Sequence, residues 1–176
     1  MSVLAIDIGS TRLKAALLDR SGSILALAQR ESPLLATPLQ PADALMAVSE
    51  IAHEVCNGTR PDAIAVTGAT RTTVLVDENG QAIGSAIPLS DGRGAAQASL
   101  LQAAYAAPDA HGLGAFHPLA RVLDIREHDA AAYRGMRRAL DLKDWVNLQL
   151  TGQAQVDTVA LSRILPADGD IEALLV

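Results

Sequence analysis

Five residues near the amino terminus have the types and spacing for phosphate chemistry: Asp7, Gly9, Ser10, Thr11 and Lys14. A tight turn through Gly9, Ser10 and Thr11 exposes backbone N–H groups and two hydroxyls, and groups of this kind hold phosphate oxygens. Asp7 suits a magnesium ion or its water shell, and Lys14 adds a cation. An ordinary hairpin with a polar turn uses the same triplet. Against that plainer reading stands the position of Asp7. It is a charge at the end of a buried-type strand, costly there without a partner or a task.

Two strands must position this turn. Val3, Leu4, Ala5, Ile6 and Ile8 form one apolar run, residues 13–18 form the second, and together they predict a hairpin. A turn over residues 19–22 leads to a third strand at 23–30, so three consecutive antiparallel strands open the chain. Pro33, Pro38 and Pro41 mark a loop, and the last of them opens a helix over Pro41–Cys56. Leu45, Val48, Ala52 and Val55 recur in it at helical spacing, and Asn57-Gly58 stops it. Short strands follow at 62–67 and 72–76, then a turn at 77–80 and an extended return at 81–88. An Ala/Leu-rich helix is expected over 92–107 and a flexible link at 111–114. A helix from Pro118 to about His128 comes next, with His117 simply preceding it. The remainder reads as a strand at 138–141, a helix at 142–150 ended by Thr151-Gly152, and a final helix at 157–165. Strands first, then alternation with helices, indicate an α/β layer fold built on a mixed sheet.

Composition narrows the partners. With 176 residues the chain has room for one domain and its own core. Aromatic residues make up only 2% of it, so the core is aliphatic and few platforms remain for stacking bases or sugars. A net charge of −6 without any basic run argues against nucleic acid and anionic membrane as partners. Lys occurs only at 14 and 143, against twelve Arg, which limits the weight either lysine carries as a signal. A lone cysteine, Cys56, forms no internal disulfide and suits a reducing cytoplasm. No Cys/His cluster has metal-site spacing, and no apolar run approaches membrane-spanning length.

Three ordered blocks resemble the FGGY family of carbohydrate kinases, within the wider actin and sugar-kinase ATPase fold. The first is the turn itself, similar to the pattern D-x-G-S/T-S/T-x-x-K/R through Asp7, Gly9, Ser10, Thr11 and Lys14. In the second, residues 64–93, Asp77, Gly80, Ala86, Ile87, Asp91 and Arg93 match a strand, substrate-loop, strand unit. In the third, Asp144, Trp145, Leu150, Thr151, Gly152 and Asp157 match the family's "D-W … L-T-G … D". The resemblance implies a ribonuclease H-like mixed sheet, ATP and Mg2+ as cofactors, and a small sugar, polyol or sugar acid as acceptor. It implies phosphate contacts from the turn, with Asp7 on the metal, and a substrate site of Thr70, Arg71 and Asp91. Asp91 is read as orienting the substrate loop or pairing with Arg93. Asp144 and Trp145 are read as a helix start with a packed indole, and Asp157 as a cap.

The departures are specific. Leu89 stands where the family usually has a tryptophan, Ala69 where a glutamine is common, and Pro118 and Arg121 replace a common lysine and tryptophan. Family members also carry their general base in a later Gly-Asp-rich motif, followed by a second ATPase lobe. The resemblance thus implies no catalytic residue within this chain and a general base beyond Val176. Residues 1–176 are therefore expected to be a single N-terminal lobe domain, truncated before the base and inactive alone. Uncovered apolar surface would then favour a homodimer. The alternative expectation is a non-catalytic half-domain that binds a sugar or a partner and no longer transfers phosphate.

Overall fold

The computed structural model describes residues 1–104 and 114–156. Its centre is a four-stranded mixed sheet in the order β3-β2-β1-β4. β1 (Val3–Ile8), β2 (Arg12–Leu18) and β3 (Ile24–Glu31) are antiparallel neighbours, and β4 (Ala63–Gly68) lies parallel to β1. Alternation decides which face is buried. Leu4, Ile6, Ile8, Leu13, Ala15 and Leu17 point to one side, where Ala44, Val48, Ile51 and Val55 of α1 (Pro41–Cys56) cover them. Pro41 starts α1, and Asn57 ends it in the left-handed region at φ 42°.

The other face of the sheet is open. Ala5, Ala16 and Ala65 lie abreast across β1, β2 and β4, and Leu27 beside them on β3 is 64% exposed. With Asp7, Lys14 and Thr67 they line a shallow hollow of about 260 Å³. No helix among the described residues is long and apolar enough to cross a membrane.

A second, smaller sheet pairs β5 (Thr73–Val76) antiparallel with β6 (Arg138–Asp141). Its buried Val74 and Val76 share the main core with Leu142, Trp145, Val146 and Leu148 of α5 (Leu142–Thr151). α2 (Ala95–Ala104) and α3 (Pro118–His128) pack through Ala98, Leu101 and Ala120. Gly94 makes that contact possible, because a Cβ there would lie 2.9 Å from the Ala120 Cβ.

The elements depart from the sequence reading at three places. α2 starts at Ala95 instead of residue 92, since Asp91 takes the Arg93 N–H and Gly92 closes a turn onto Ala95 N–H. Residues 81–88 meet their neighbours through isolated bridges at Ala82, Ala86 and Ile87 and a bond from Ile83 N–H to Leu75 C=O at 2.8 Å, so the extended return is not a continuous strand. A short helix, α4 (Ala130–Gly135), follows α3; the Asp129 carboxylate caps it by accepting from Ala132 N–H, in a segment too short to show periodicity. The expected helix at 157–165, the cap at Asp157 and most of the link at 111–114 lie outside the described residues. So does Val176, the position beyond which the general base is expected.

Candidate functional site

Parallel pairing of β1 with β4 brings two loops to one sheet edge. The register runs Asp7 beside Thr67 and Ile8 beside Gly68, and Ala69 N–H donates to Ile8 C=O at 2.9 Å. The turn after β1 and the loop after β4 therefore emerge side by side, at the carboxyl ends of parallel strands, where α/β sheets bind ligands.

The first loop is the polar turn. Gly9 N–H donates to Arg12 C=O at 3.1 Å, and a Cβ on Gly9 would come within 2.8 Å of that same oxygen. Gly9 is thus required for the close approach. Ser32, almost wholly buried, fastens the turn from outside: its hydroxyl donates to Gly9 C=O at 2.5 Å and its N–H to Thr11 C=O at 3.2 Å. The carbonyls of Gly9, Thr11 and Arg12 are thereby occupied. Ser10 and Thr11 are exposed, and among the described residues their N–H groups and hydroxyls have no protein partner. Asp7 and Lys14 face each other across the hairpin, Nζ to Oδ2 at 3.9 Å, both partly exposed on the open face.

The second loop carries Thr70 and Arg71, and the chain returns past it through Leu89 and Asp91. Arg71 adopts φ 63°, a left-handed conformation that is uncommon for a non-glycine residue. Its N–H donates to Asp141 Oδ1 at 2.9 Å and its C=O accepts from Arg121 Nη1 at 2.6 Å. Asp91 is bound by Arg93 through the side chain, with Nη2 to Oδ2 at 2.7 Å and Nε to both oxygens at 3.1 Å. This bond, foremost, holds the Asp91 carboxyl below its ordinary range against the effect of burial, and raises Arg93 in turn. Pairing with Arg93 was one of the two roles expected for Asp91. Thr70 is exposed, and Leu89, at the usual tryptophan position, is 46% exposed.

Arg121 is the residue that sequence reasoning missed. It figures there only as a departure from pattern, yet it is fully buried at 0% exposure. Its guanidinium donates to five oxygens: Arg71 O and Thr73 Oγ1 from Nη1, and Pro88 O, Leu89 O and Asp91 O from Nη2. Burial draws its pKa down, partly offset by Asp91. An arginine amid the apolar residues of a helix was the only available signal.

Other sequence candidates sit away from this edge. Trp145 packs in the core and donates from Nε1 to Gly80 C=O at 3.2 Å, as expected of a buried indole. Asp144 accepts from Lys143 Nζ at 2.6 Å in a buried pair, while Asp141 holds the N-cap position of α5. His117 caps α3, its Nδ1 accepting from Leu119 N–H.

Residues 2–168 match the model of the N-terminal domain of the FGGY family of carbohydrate kinases. The chain belongs to this family. Solved FGGY-type structures repeat its fold. Gluconate kinase from Lactobacillus acidophilus superposes with a TM-score of 0.80 at 18% identity over 98% of this chain. Xylulose kinase from Rhodospirillum rubrum gives 0.74 at 26% identity over 89%, and glycerol kinase with ADP from Plasmodium falciparum 0.68 at 13% over 93%. The chain spans 35–40% of the length of these structures: 39%, 35% and 40% in that order. A search of the curated proteins gives no match.

The residues at the FGGY turn suit a metal held indirectly. No group of three His, Cys, Asp or Glu side chains is placed to hold an ion among the described residues. Mg2+ does not need one, since it retains several waters and is commonly held by one or two carboxylates plus phosphate oxygens. Asp7 supplies such a carboxylate beside a turn with free N–H groups.

Proposed function

We propose that this chain is the N-terminal part of a cytoplasmic, ATP-dependent carbohydrate kinase that transfers a γ-phosphoryl group to a hydroxyl of a sugar, polyol or sugar acid. The observation that carries the reading is the pairing at the sheet edge, Ala69 N–H on Ile8 C=O, beside a turn with unused donors. It sets the polar turn beside the loop of Thr70 and Arg71, which supports a transfer between two molecules bound side by side.

In this reading the N–H and hydroxyl groups of Ser10 and Thr11 receive phosphate oxygens. Asp7 holds the water shell of Mg2+, whose charge neutralises the phosphates, and Lys14 adds a second cation. Thr70, Arg71 and the backbone around Asp91 bind the acceptor. The general base is assigned to a part of the kinase beyond Val176. Among the described residues, the acidic side chains near the edge are already engaged: Asp7 faces Lys14, Asp91 binds Arg93, and Asp141 holds Arg71 N–H. We therefore expect no ATP-dependent sugar phosphorylation above background from the 176-residue chain alone.

The open sheet face supports a second proposal about partners. Its alanine row and exposed Leu27 leave apolar surface that a second copy of the chain would cover, giving a concentration-dependent dimer. Light scattering across a concentration series tests it, and a constant monomer mass would count against it.

NMR titration of the labelled chain tests the main reading. Mg·ATP is expected to shift the amides of Gly9, Ser10 and Thr11, and D-gluconate or xylitol those around Thr70 and Arg71. Shifts confined to other surfaces would refute the assignment.

A further inference from the structure

We infer that Arg121 is a positioning residue that locks the two acceptor loops to each other; its relevance to the acceptor rests on the reading just proposed. Residues 73 and 87 form the last shared rung of backbone pairing, each N–H donating to the other's C=O at 2.8 Å. Beyond that rung the chain parts into two loops, one through Thr70 and Arg71, the other through Leu89 and Asp91. The Arg121 fork spans the gap, with Nη1 on the first loop and Nη2 on the second.

Chemistry explains why the residue is arginine. A guanidinium is a rigid plane with donors in fixed directions, so two loops bonded to its two ends share one frame. Lysine, a compact ammonium with rotatable donors on a flexible stem, imposes no such frame. The arrangement is also costly. Arg121 is wholly buried, and among the described residues its hydrogen bonds are to carbonyl and hydroxyl oxygens, with no carboxylate contact and no partner for its Nε. A buried charge placed for stability alone is commonly outdone by an apolar side chain of similar size. Retaining it here therefore points to geometry. The strained backbone of Arg71 fits this account, since its left-handed φ persists only where the surroundings over-determine it. Asp141 holds its N–H and Arg121 its C=O.

Hydrogen exchange on the full 176-residue chain, with the Arg121→Met and Arg121→Lys variants, tests the lock. In Arg121→Met, opening of residues 70–72 and 88–91 should rise together by about tenfold or more, while β1 and β2 exchange as before. In Arg121→Lys, which keeps the charge should the methionine variant fail to fold, one loop should stay protected and the other loosen. At a temperature where the variant is folded, D-gluconate and xylitol affinity should fall about tenfold in Arg121→Met, while Mg·ATP shifts at the turn stay unchanged. A purely structural role would move both ligands alike. Exchange that rises in one loop only, or uniformly over the chain, in Arg121→Met overturns the lock, and so does acceptor affinity equal to wild type. If the wild-type chain binds neither probe, the acceptor reading falls, and exchange still decides whether the loops are coupled.

Discussion

Ser10 and Thr11 stand in solvent on a turn pinned by Ser32, 23 residues from Gly9 along the chain. Arg71 and Asp91 are held by a guanidinium reaching them across 50 and 30 residues. Both loops leave the same sheet edge, but they are held by opposite means. The turn is fixed through the carbonyls of Gly9 and Thr11 and leaves the donors of Ser10 and Thr11 open, as a site for anions should. The loops through Arg71 and Asp91, proposed for the acceptor, are fixed from beneath by a buried cation that bonds their carbonyls. The turn is thus exposed and cheap to alter; the loops through Arg71 and Asp91 carry exposed residues such as Thr70 and Leu89, but the fork that holds them is buried, long-range and expensive to alter.

The largest effect that would break this contrast is expected at Arg121. Arg121→Met takes the fork from five acceptors, of which Pro88 C=O keeps its bond from Asp91 N–H, and should cost about 3 kcal/mol or more in urea unfolding. A loss within about 0.5 kcal/mol would mean that water or neighbouring groups replace the fork readily. Next comes Gly94→Ala, which sets a Cβ within 2.8 Å of the Ala120 carbonyl carbon and should cost about 1–3 kcal/mol. A neutral result would show that α3 can retreat without disturbing the fork.

The turn side should respond differently. Ser32→Ala removes the hydroxyl that holds Gly9 C=O and caps Leu34 N–H, costing about 1–2 kcal/mol with faster exchange at the turn. Asp7→Asn should change stability by no more than about 0.5 kcal/mol, because its ion pair with Lys14 is long and exposed, yet weaken Mg·ATP binding about tenfold. Large destabilisation by Asp7→Asn would erase the distinction between the two loops.

This division also explains what was legible in the sequence. The hairpin, α1 and the polar turn were readable because alternation, a proline start, an Asn-Gly stop and a Gly-Ser-Thr bend are local signals. So was Asp91 with Arg93, two residues apart. The fork was not legible, since nothing in α3 tells which carbonyls will arrive from residues 71 and 88–91. The left-handed Arg71 was hidden for the same reason: its cause is Asp141, 70 residues onward. Short α4 escaped because six residues cannot display a helical period.

The smallest effect is a pH dependence. The Asp91 carboxyl is held below its ordinary range by Arg93, so its contribution is complete above that ordinary value and is lost as pH falls through the lowered folded value. Asp91→Asn should flatten the acid limb of the stability curve below about pH 4, read from urea midpoints. An unchanged slope would show that Arg93 gives the carboxylate no preference over the acid.

The most direct test of one shared edge is a paramagnetic relaxation measurement with Mn·ATP in place of Mg·ATP. Line broadening should be strongest at Gly9, Ser10 and Thr11 and extend next to Ala69 and Thr70, which Ile8 brings alongside. Broadening centred elsewhere, such as the polar hollow around Glu78, Asn79 and Arg138, would contradict the proposed site.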